Sequence, residues 1–192
     1  ELETEAFWCF SPSHSFIKFQ DKQNRWYNIE LTQGAVVTDD FYMNSGFIKS
    51  KAIQTGIYLN PRTMKQTIAH MLNDLSAYYI SRYGYDHFIE ENSNLVLRYS
   101  PSDLTAYQHY ANICTVQAQY VIDACGRPPK EQLPEYPQAH RLFKKMLQSH
   151  EKIDSLGYEE MPAEIYHNWL KQVDKAKTLP ENQPSPIIQI KK

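Results

Sequence analysis

The sequence is short of the features that mark several classes of protein. Its 192 residues include only six glycines, which is few for a turn-rich β-protein, and only three cysteines. The cysteines show no CxxC or other metal-ligand spacing, and their odd number argues against a disulfide framework. The longest unbroken apolar run covers residues 6–10 and is far too short to span a bilayer.

Positively and negatively charged residues are nearly balanced. Twenty Lys and Arg residues stand against 22 Asp and Glu residues, which gives a formal net charge of −2. A nucleic-acid-binding domain is expected to be basic, with its Lys and Arg residues clustered. The sequence therefore predicts no nucleic-acid partner. What the chain has in quantity is tyrosine, with 14 residues, and together with the scarcity of glycine this favours long helices with half-exposed aromatic faces.

The first 36 residues predict three short β-strands. Residues 6–10, 14–19 and 25–31 are rich in aromatic and β-branched side chains, and short polar segments separate them. The tight connections predict an antiparallel sheet. Such a small sheet needs a further layer packed on it to be stable.

From residue 39 onwards the period of the apolar residues changes to about 3.6, which predicts helices. The first long helix follows the cap Asn60-Pro61, and its apolar stripe stops at Gly84. That stripe consists of Met64, Ile68, Leu72, Leu75, Tyr79 and Tyr83. A second helix, over about 86–99, is expected to turn Phe88, Leu95 and Tyr99 inward. The third has the cleanest pattern, formed by Leu104, Tyr107, Ala111, Cys114, Ala118, Val121 and Cys125.

The predicted fold class is therefore α+β, with a small N-terminal antiparallel sheet followed by five to six helices. Residues 1–59 are expected to form the sheet part and residues 60–179 a helical region. The tail over residues 180–192 is rich in Pro and Gln and is predicted to be disordered or extended.

His14 and Glu30 are the residues most suited to chemistry. On adjacent antiparallel strands, a histidine near the start of one strand can face an acid near the end of the next. The acid would fix the imidazole tautomer, and the second ring nitrogen would then be free to hold a thiol as thiolate. Asn28 is an alternative orienting group, because it shares a strand face with Glu30 and Thr32. The simpler alternative is a structural histidine, with Trp26 covering the sheet.

The spacing of these residues resembles a motif of transglutaminase-like enzymes. Those enzymes carry a histidine followed two positions later by an aromatic residue, and after a hairpin a strand of the form Trp-x-x-x-Asp-x-Thr. This chain has His14 with Phe16, and then Trp26, Glu30 and Thr32. The next segment, to about residue 59, resembles the continuation in transglutaminase-like proteins of the Bacteroidetes type. The resemblance covers roughly residues 1–125.

The resemblance implies papain-like acyl chemistry on an amide or peptide, with His14 as general base and acid and Glu30 as its orienting partner. In the family the nucleophilic cysteine precedes the histidine at the N-terminus of a helix, so it is expected upstream of Glu1. Cys9 lies in the middle of a strand and is not a substitute. Glu30 stands where Asp is usual and is one methylene longer. The chain would then be the C-terminal part of a bacterial protein, either cytoplasmic or exported.

The helical half supports a second hypothesis. Ala77 and Pro101 have the spacing of a tetratricopeptide repeat, whose stacked helix pairs bind peptides or protein partners. The chain would then be a catalytically inactive binding module, although the same helices could equally form a lid that completes the core. The remaining histidines show no HExxH or i, i+4 spacing, so the sequence predicts no metal site and no cofactor. The oligomeric state stays open.

Overall fold

The computed structural model describes residues 5–32 and 34–177. The chain divides into two compact units. The first contains the chain up to Thr63 together with the segment from Tyr158 onwards, and the second is Met64–Gly157. The predicted α+β architecture is confirmed. The helical region expected over residues 60–179 comprises the second unit and a last helix that groups with the sheet. The predicted tail at 180–192 lies outside the described residues.

The first unit contains a four-stranded antiparallel meander in the order β1-β2-β3-β4. Its strands are β1 Ala6–Ser11, β2 His14–Gln20, β3 Trp26–Glu30 and β4 Ala35–Val37. The three predicted strands are confirmed, and the three-residue β4 is an addition too short to show an alternating pattern. A two-residue turn joins β1 to β2, with Ser11 directly opposite His14.

One face of the sheet is covered by helix. Helices α1 (Asp39–Ser45), α2 (Ser50–Gln54) and α7 (Ala163–Lys177) belong to this unit. Tyr42 of α1 stacks on Phe16 of β2, with ring centroids 3.9 Å apart, and both side chains are fully buried. This stacked pair fills the space between α1 and the sheet, which is the additional layer that the small sheet requires.

The second unit consists of consecutive helices connected by short turns. They are α3 (Met64–Tyr83), α4 (His87–Tyr99), α5 (Leu104–Ala124), a 3₁₀ helix over Lys130–Glu135 and α6 (Pro137–Ser155). Asp86 and Asp103 cap α4 and α5, each accepting a backbone N–H of the first turn. Within the described residues, none of the helices has the length and apolar character needed to cross a membrane.

The predicted inward faces of α3 and α4 are wrong, whereas that of α5 is largely confirmed. Helix α3 buries Ala69, Asn73 and Ser76, and its large apolar residues are mostly exposed. Phe88, Leu95 and Tyr99 of α4 are also exposed. On α5, the residues at 104, 111, 114 and 118 are buried as expected.

On α3 the reason for this reversal is a polar contact with α4, whose own buried face mixes Ile89 and Val96 with polar residues. Asn92 of α4 donates its amide hydrogens to the Leu72 carbonyl (2.8 Å) and to the Ser76 hydroxyl (2.5 Å). These bonds require small or polar residues where the two helices meet, so the larger side chains lie on the other side of α3. Hydrophobic periodicity assigns the large stripe to the core because it takes no account of buried polar pairs.

A second polar network joins α3 to α5. Asp103 is fully buried, and its carboxylate accepts a hydrogen bond from Asn73 (3.0 Å) and from the Ala106 N–H (3.2 Å). Its other oxygen lies 2.6 Å from Nδ1 of His70. One side chain therefore caps α5 and ties it to α3.

We expect Asp103→Ala to lower the free energy of unfolding by about 2–4 kcal/mol, because the change removes a helix cap and leaves buried donors without an acceptor. Urea denaturation followed by circular dichroism measures the loss. The matched control is Asp123→Ala near the end of the same helix, where the carboxylate is exposed and pairs with Arg127; it should change stability by less than about 0.5 kcal/mol. Equal losses for the two variants would contradict the role given to Asp103.

Candidate functional site

The structure brings His14 and Glu30 together. His14 is the first residue of β2 and Glu30 the last residue of β3, and these strands are antiparallel neighbours. Nε2 of His14 lies 2.6 Å from Oε2 of Glu30. The contact follows from strand order, because the start of one antiparallel strand lies beside the end of the next.

Glu30 is held by donors on both carboxylate oxygens. Its side chain is 3% exposed. Oε1 accepts the backbone N–H (3.0 Å) and the hydroxyl (2.6 Å) of Thr32, and Oε2 accepts the hydroxyl of Tyr42 (2.9 Å) besides its bond with His14. Burial by itself raises the pKa of Glu30, but the bonds from Thr32, His14 and Tyr42 outweigh it and lower the pKa to about 2.

The charge of Glu30 determines the tautomer of His14. An ionised carboxylate only accepts hydrogen bonds, so the proton between the two groups resides on Nε2 of the ring. In a neutral imidazole, Nδ1 then carries the free lone pair. Within the part of the chain that the structure describes, Nδ1 makes no hydrogen bond, and the His14 side chain is 35% exposed. The ring is therefore oriented as a proton acceptor through Nδ1.

Tyr42 is a member of the site that sequence reasoning missed. Its ring packs on Phe16 and lies 6.0 Å from the ring of His14, and its hydroxyl donates to Glu30. Burial, together with the hydrogen bond to Glu30, raises the pKa of Tyr42 well above its usual value, so it stays a phenol and a donor. The change of period at residue 39 predicted a helix there, but nothing local links Tyr42 to a strand that ends twelve residues earlier.

The other predicted supporting residues have different places. Thr32 is in the site, as described above. Asn28 lies on the same strand face as Glu30, but its amide donates to Asp39 (2.7 Å) rather than to His14. Trp26 begins the strand four residues before Glu30, which places the Cα atoms of the two residues about 13 Å apart. Its side chain is 44% exposed and makes a T-shaped ring contact with Phe7 on the sheet, so Trp26 is not the buried core residue that was predicted.

Asn28 instead belongs to a cluster around a buried lysine. The ammonium of Lys18 donates to both carboxylate oxygens of Asp39 (2.9 and 3.0 Å) and to the carbonyl of Leu59 (3.1 Å). Asp39 is the first residue of α1. This ion pair therefore fixes the helix that carries Tyr42 against strand β2.

Cys9 cannot serve as a thiolate in this arrangement. It is fully buried on β1, opposite Phe16. Burial raises the pKa of its thiol to about 12, so the group is protonated at neutral pH. Cys114 is also buried and its pKa is raised for the same reason. Within the described residues, none of the three cysteines forms a hydrogen bond with His14.

A cavity of about 1140 Å³ opens beside His14 and Glu30, entirely within the first unit. Its wall includes Thr32, Tyr42 and the segment from Tyr158 to Tyr166. This volume is sufficient for a ligand or for a segment of a peptide. Over residues 5–32 and 34–177 no group of three or more His, Cys, Asp or Glu side chains is placed to hold a metal ion.

We expect Glu30→Gln to reduce the dependence of stability on acidic pH. The pKa of Glu30 is about 2 in the folded chain against an ordinary value of 4.5. The stabilisation by the ionised group is therefore complete above the ordinary pKa and is lost as the pH falls through the folded value. Between about pH 5 and about pH 2 the wild type should lose on the order of 1–3 kcal/mol more unfolding free energy than the variant. Denaturation across this range measures the difference.

The control for this measurement is Glu151→Gln, which changes an exposed carboxylate of α6. It should leave the acid dependence of the wild type intact. If Glu30→Gln retained the same slope as the wild type, the pKa of Glu30 would not be lowered in the folded chain.

Comparison with known proteins assigns the chain to no family: no family model, curated protein or solved structure matches it. The resemblance to transglutaminase-like enzymes accordingly stays a prediction from the sequence.

Proposed function

We propose that His14 and Glu30 are the general base and the orienting acid of a transglutaminase-like, cysteine-dependent site for acyl transfer or amide hydrolysis. The thiol would come from polypeptide outside these 192 residues. The observation that carries the proposal is the 2.6 Å contact between Nε2 of His14 and Glu30 at the wall of a cavity, where Nδ1 accepts no hydrogen bond from the residues that the structure describes. A cysteine–histidine site needs this orientation of the imidazole, whatever the fold.

The first half of the proposed reaction forms a thioester. Nδ1 of His14 accepts the thiol proton, and Glu30 stabilises the resulting imidazolium through its bond to Nε2. The thiolate attacks the carbonyl carbon of a carboxamide or peptide. The tetrahedral intermediate collapses when Nδ1 returns its proton to the leaving nitrogen, so that ammonia or an amine departs and the acyl group remains on sulfur.

The second half releases the acyl group. Water or an amine attacks the thioester, and Nδ1 of His14 takes the proton of the incoming nucleophile. Collapse of the intermediate expels the thiolate, and this proton restores the thiol or remains on His14. Water gives hydrolysis and an amine gives acyl transfer. Glu30 stays ionised throughout, as its low pKa requires.

Glutamate in place of aspartate is compatible with this role. Its extra methylene group would allow the carboxylate to adopt several positions, but Thr32 holds one oxygen through two hydrogen bonds. The other oxygen is thereby directed to His14 and Tyr42. The clamp by Thr32 thus compensates for the longer side chain and favours a maintained site over a decayed one.

The substrate class that suits this chemistry is a protein or peptide amide. The cavity wall combines aromatic side chains with polar ones such as Glu159 and Glu160, and the cavity is large enough for a few residues of an extended chain. Binding there would place a carbonyl beside the exposed edge of His14.

We expect one cysteine other than Cys9, Cys114 and Cys125 to react rapidly with iodoacetamide near pH 6, in the protein produced from its complete gene. A thiol paired with His14 is ionised at a pH where ordinary thiols are protonated. Peptide mapping identifies the labelled position. His14→Ala should slow its labelling at least tenfold, and Glu30→Gln should slow it to a lesser degree.

The matched control is His87→Ala, which removes an imidazole that is 79% exposed in the second unit; it should leave the labelling rate unchanged. Labelling confined to the three cysteines of this chain, at rates that do not depend on His14, would overturn the proposal. The inactive binding module would then be the better hypothesis.

A further inference from the structure

Helix α3 carries a continuous apolar seam on its exposed side. The seam consists of five large side chains with exposed fractions of 73, 57, 51, 49 and 61%, namely Met64, Ile68, Met71, Leu75 and Tyr78. The buried contacts of α3 lie nearly opposite on the helix and are made by small or polar residues. The seam is therefore not used by the core of the second unit.

The seam has the spacing of a helix–helix interface. Its members are separated by four, three, four and three residues, which averages 3.5 and matches the a and d positions of a heptad repeat. A surface helix packed on its own core follows a broader stripe with a period near 3.6. A narrow seam over four turns is the surface that a single, nearly aligned partner helix contacts.

The area of the seam suits pairing with an identical seam. At these exposures the five side chains present on the order of 500 Å², near the upper end of the largest apolar patches on monomers. Two such seams facing each other bury about 1,000 Å², which is near the lower bound for a specific interface. One copy of α3 alone thus offers enough surface for a modest dimer.

The charge at the end of the seam selects the orientation. Arg82 occupies the next seam position after Tyr78 and lies over its ring, with 5.6 Å from the guanidinium carbon to the ring centroid. In a parallel pair the two Arg82 guanidinium groups would meet across the interface and repel each other. In an antiparallel pair centred on Met71 they lie at opposite ends, about 33 Å apart.

We propose that the seam is the contact surface for a second copy of this chain, with two α3 helices paired antiparallel about Met71. Ile68 and Leu75 form the centre of the contact together with Met71. Met64 of each copy lies beside Tyr78 of the other. This surface shares no residue with the cavity at His14 and does not depend on the function proposed for that site.

Sedimentation equilibrium of the full chain, over roughly 1–200 µM, tests the association. We expect a monomer–dimer equilibrium that Ile68→Glu combined with Leu75→Glu weakens at least tenfold. The matched control, Val116→Glu combined with Tyr120→Glu, places the same two charges on side chains of α5 that are 45% and 77% exposed and should leave the equilibrium unchanged. Circular dichroism checks that each variant remains helical, which is expected because the substituted side chains lie on the surface.

Cysteine substitution tests the orientation. Under mild oxidation Met71→Cys should form disulfide-linked dimers. Met64→Cys should form them only when it is mixed with Tyr78→Cys. A wild type that is monomeric throughout, or a dimer that persists in the double glutamate variant, overturns the proposal. Efficient linking of Met64→Cys to itself would show a parallel pair and overturn the antiparallel arrangement.

Discussion

The position of helix α1 on the sheet depends on one buried ammonium group. Lys18 lies in the covered face of the sheet, where an unpaired charge would cost several kcal/mol. The Asp39 carboxylate and the Leu59 carbonyl satisfy it, so that β2, the start of α1 and the segment after α2 meet at a single nitrogen. Tyr42 lies one turn after Asp39 and reaches Glu30 from there. Without this ion pair, Tyr42 would lose the support that holds its hydroxyl on Oε2 of Glu30 and its ring on Phe16.

The contents of the first unit could be predicted from the sequence to a useful extent. Runs of aromatic and β-branched residues predicted three of its strands. The order of these strands was sufficient to predict that His14 lies beside Glu30. Tyr42 could not be found in this way, because its contact with Glu30 depends on the path of the chain through β4 and on the bond between Lys18 and Asp39. The local pattern contains neither of these.

The helices of the second unit illustrate a different limit. Periodicity identified α3 and α4 as helices but assigned their large apolar residues to the wrong side. The core between them contains Ala69 and Val96 and also the hydrogen bond between Asn92 and Ser76, two residues that hydrophobic patterns count as solvent-facing. Helix α5 followed the pattern because its buried residues, such as Leu104, Ala111 and Ala118, are all apolar. The direction of a stripe is therefore predictable only where the buried face is itself apolar.

A histidine–carboxylate contact does not by itself indicate chemistry. His70 and Asp103 are also 2.6 Å apart, but the carboxylate there caps a helix and is shared with Asn73, and the His70 side chain is only 17% exposed. What distinguishes His14 is the cavity beside it and the acceptor nitrogen that faces away from Glu30. The surroundings of the histidine–carboxylate pair, rather than the distance between its atoms, distinguish a candidate site from a structural contact.

The tight turn before His14 makes the site sensitive to the length of the chain at that point. Pro12 and Ser13 alone connect β1 to β2, and Ser13 has a φ of 56°, in the left-handed region. Because side chains alternate between the two faces of a strand, one residue more in this turn that shifted β2 by one position against β1 and β3 would turn the imidazole away from Glu30 to the opposite face. In relatives of this chain, the number of residues between the two strands would then be as informative about a working site as the presence of the histidine.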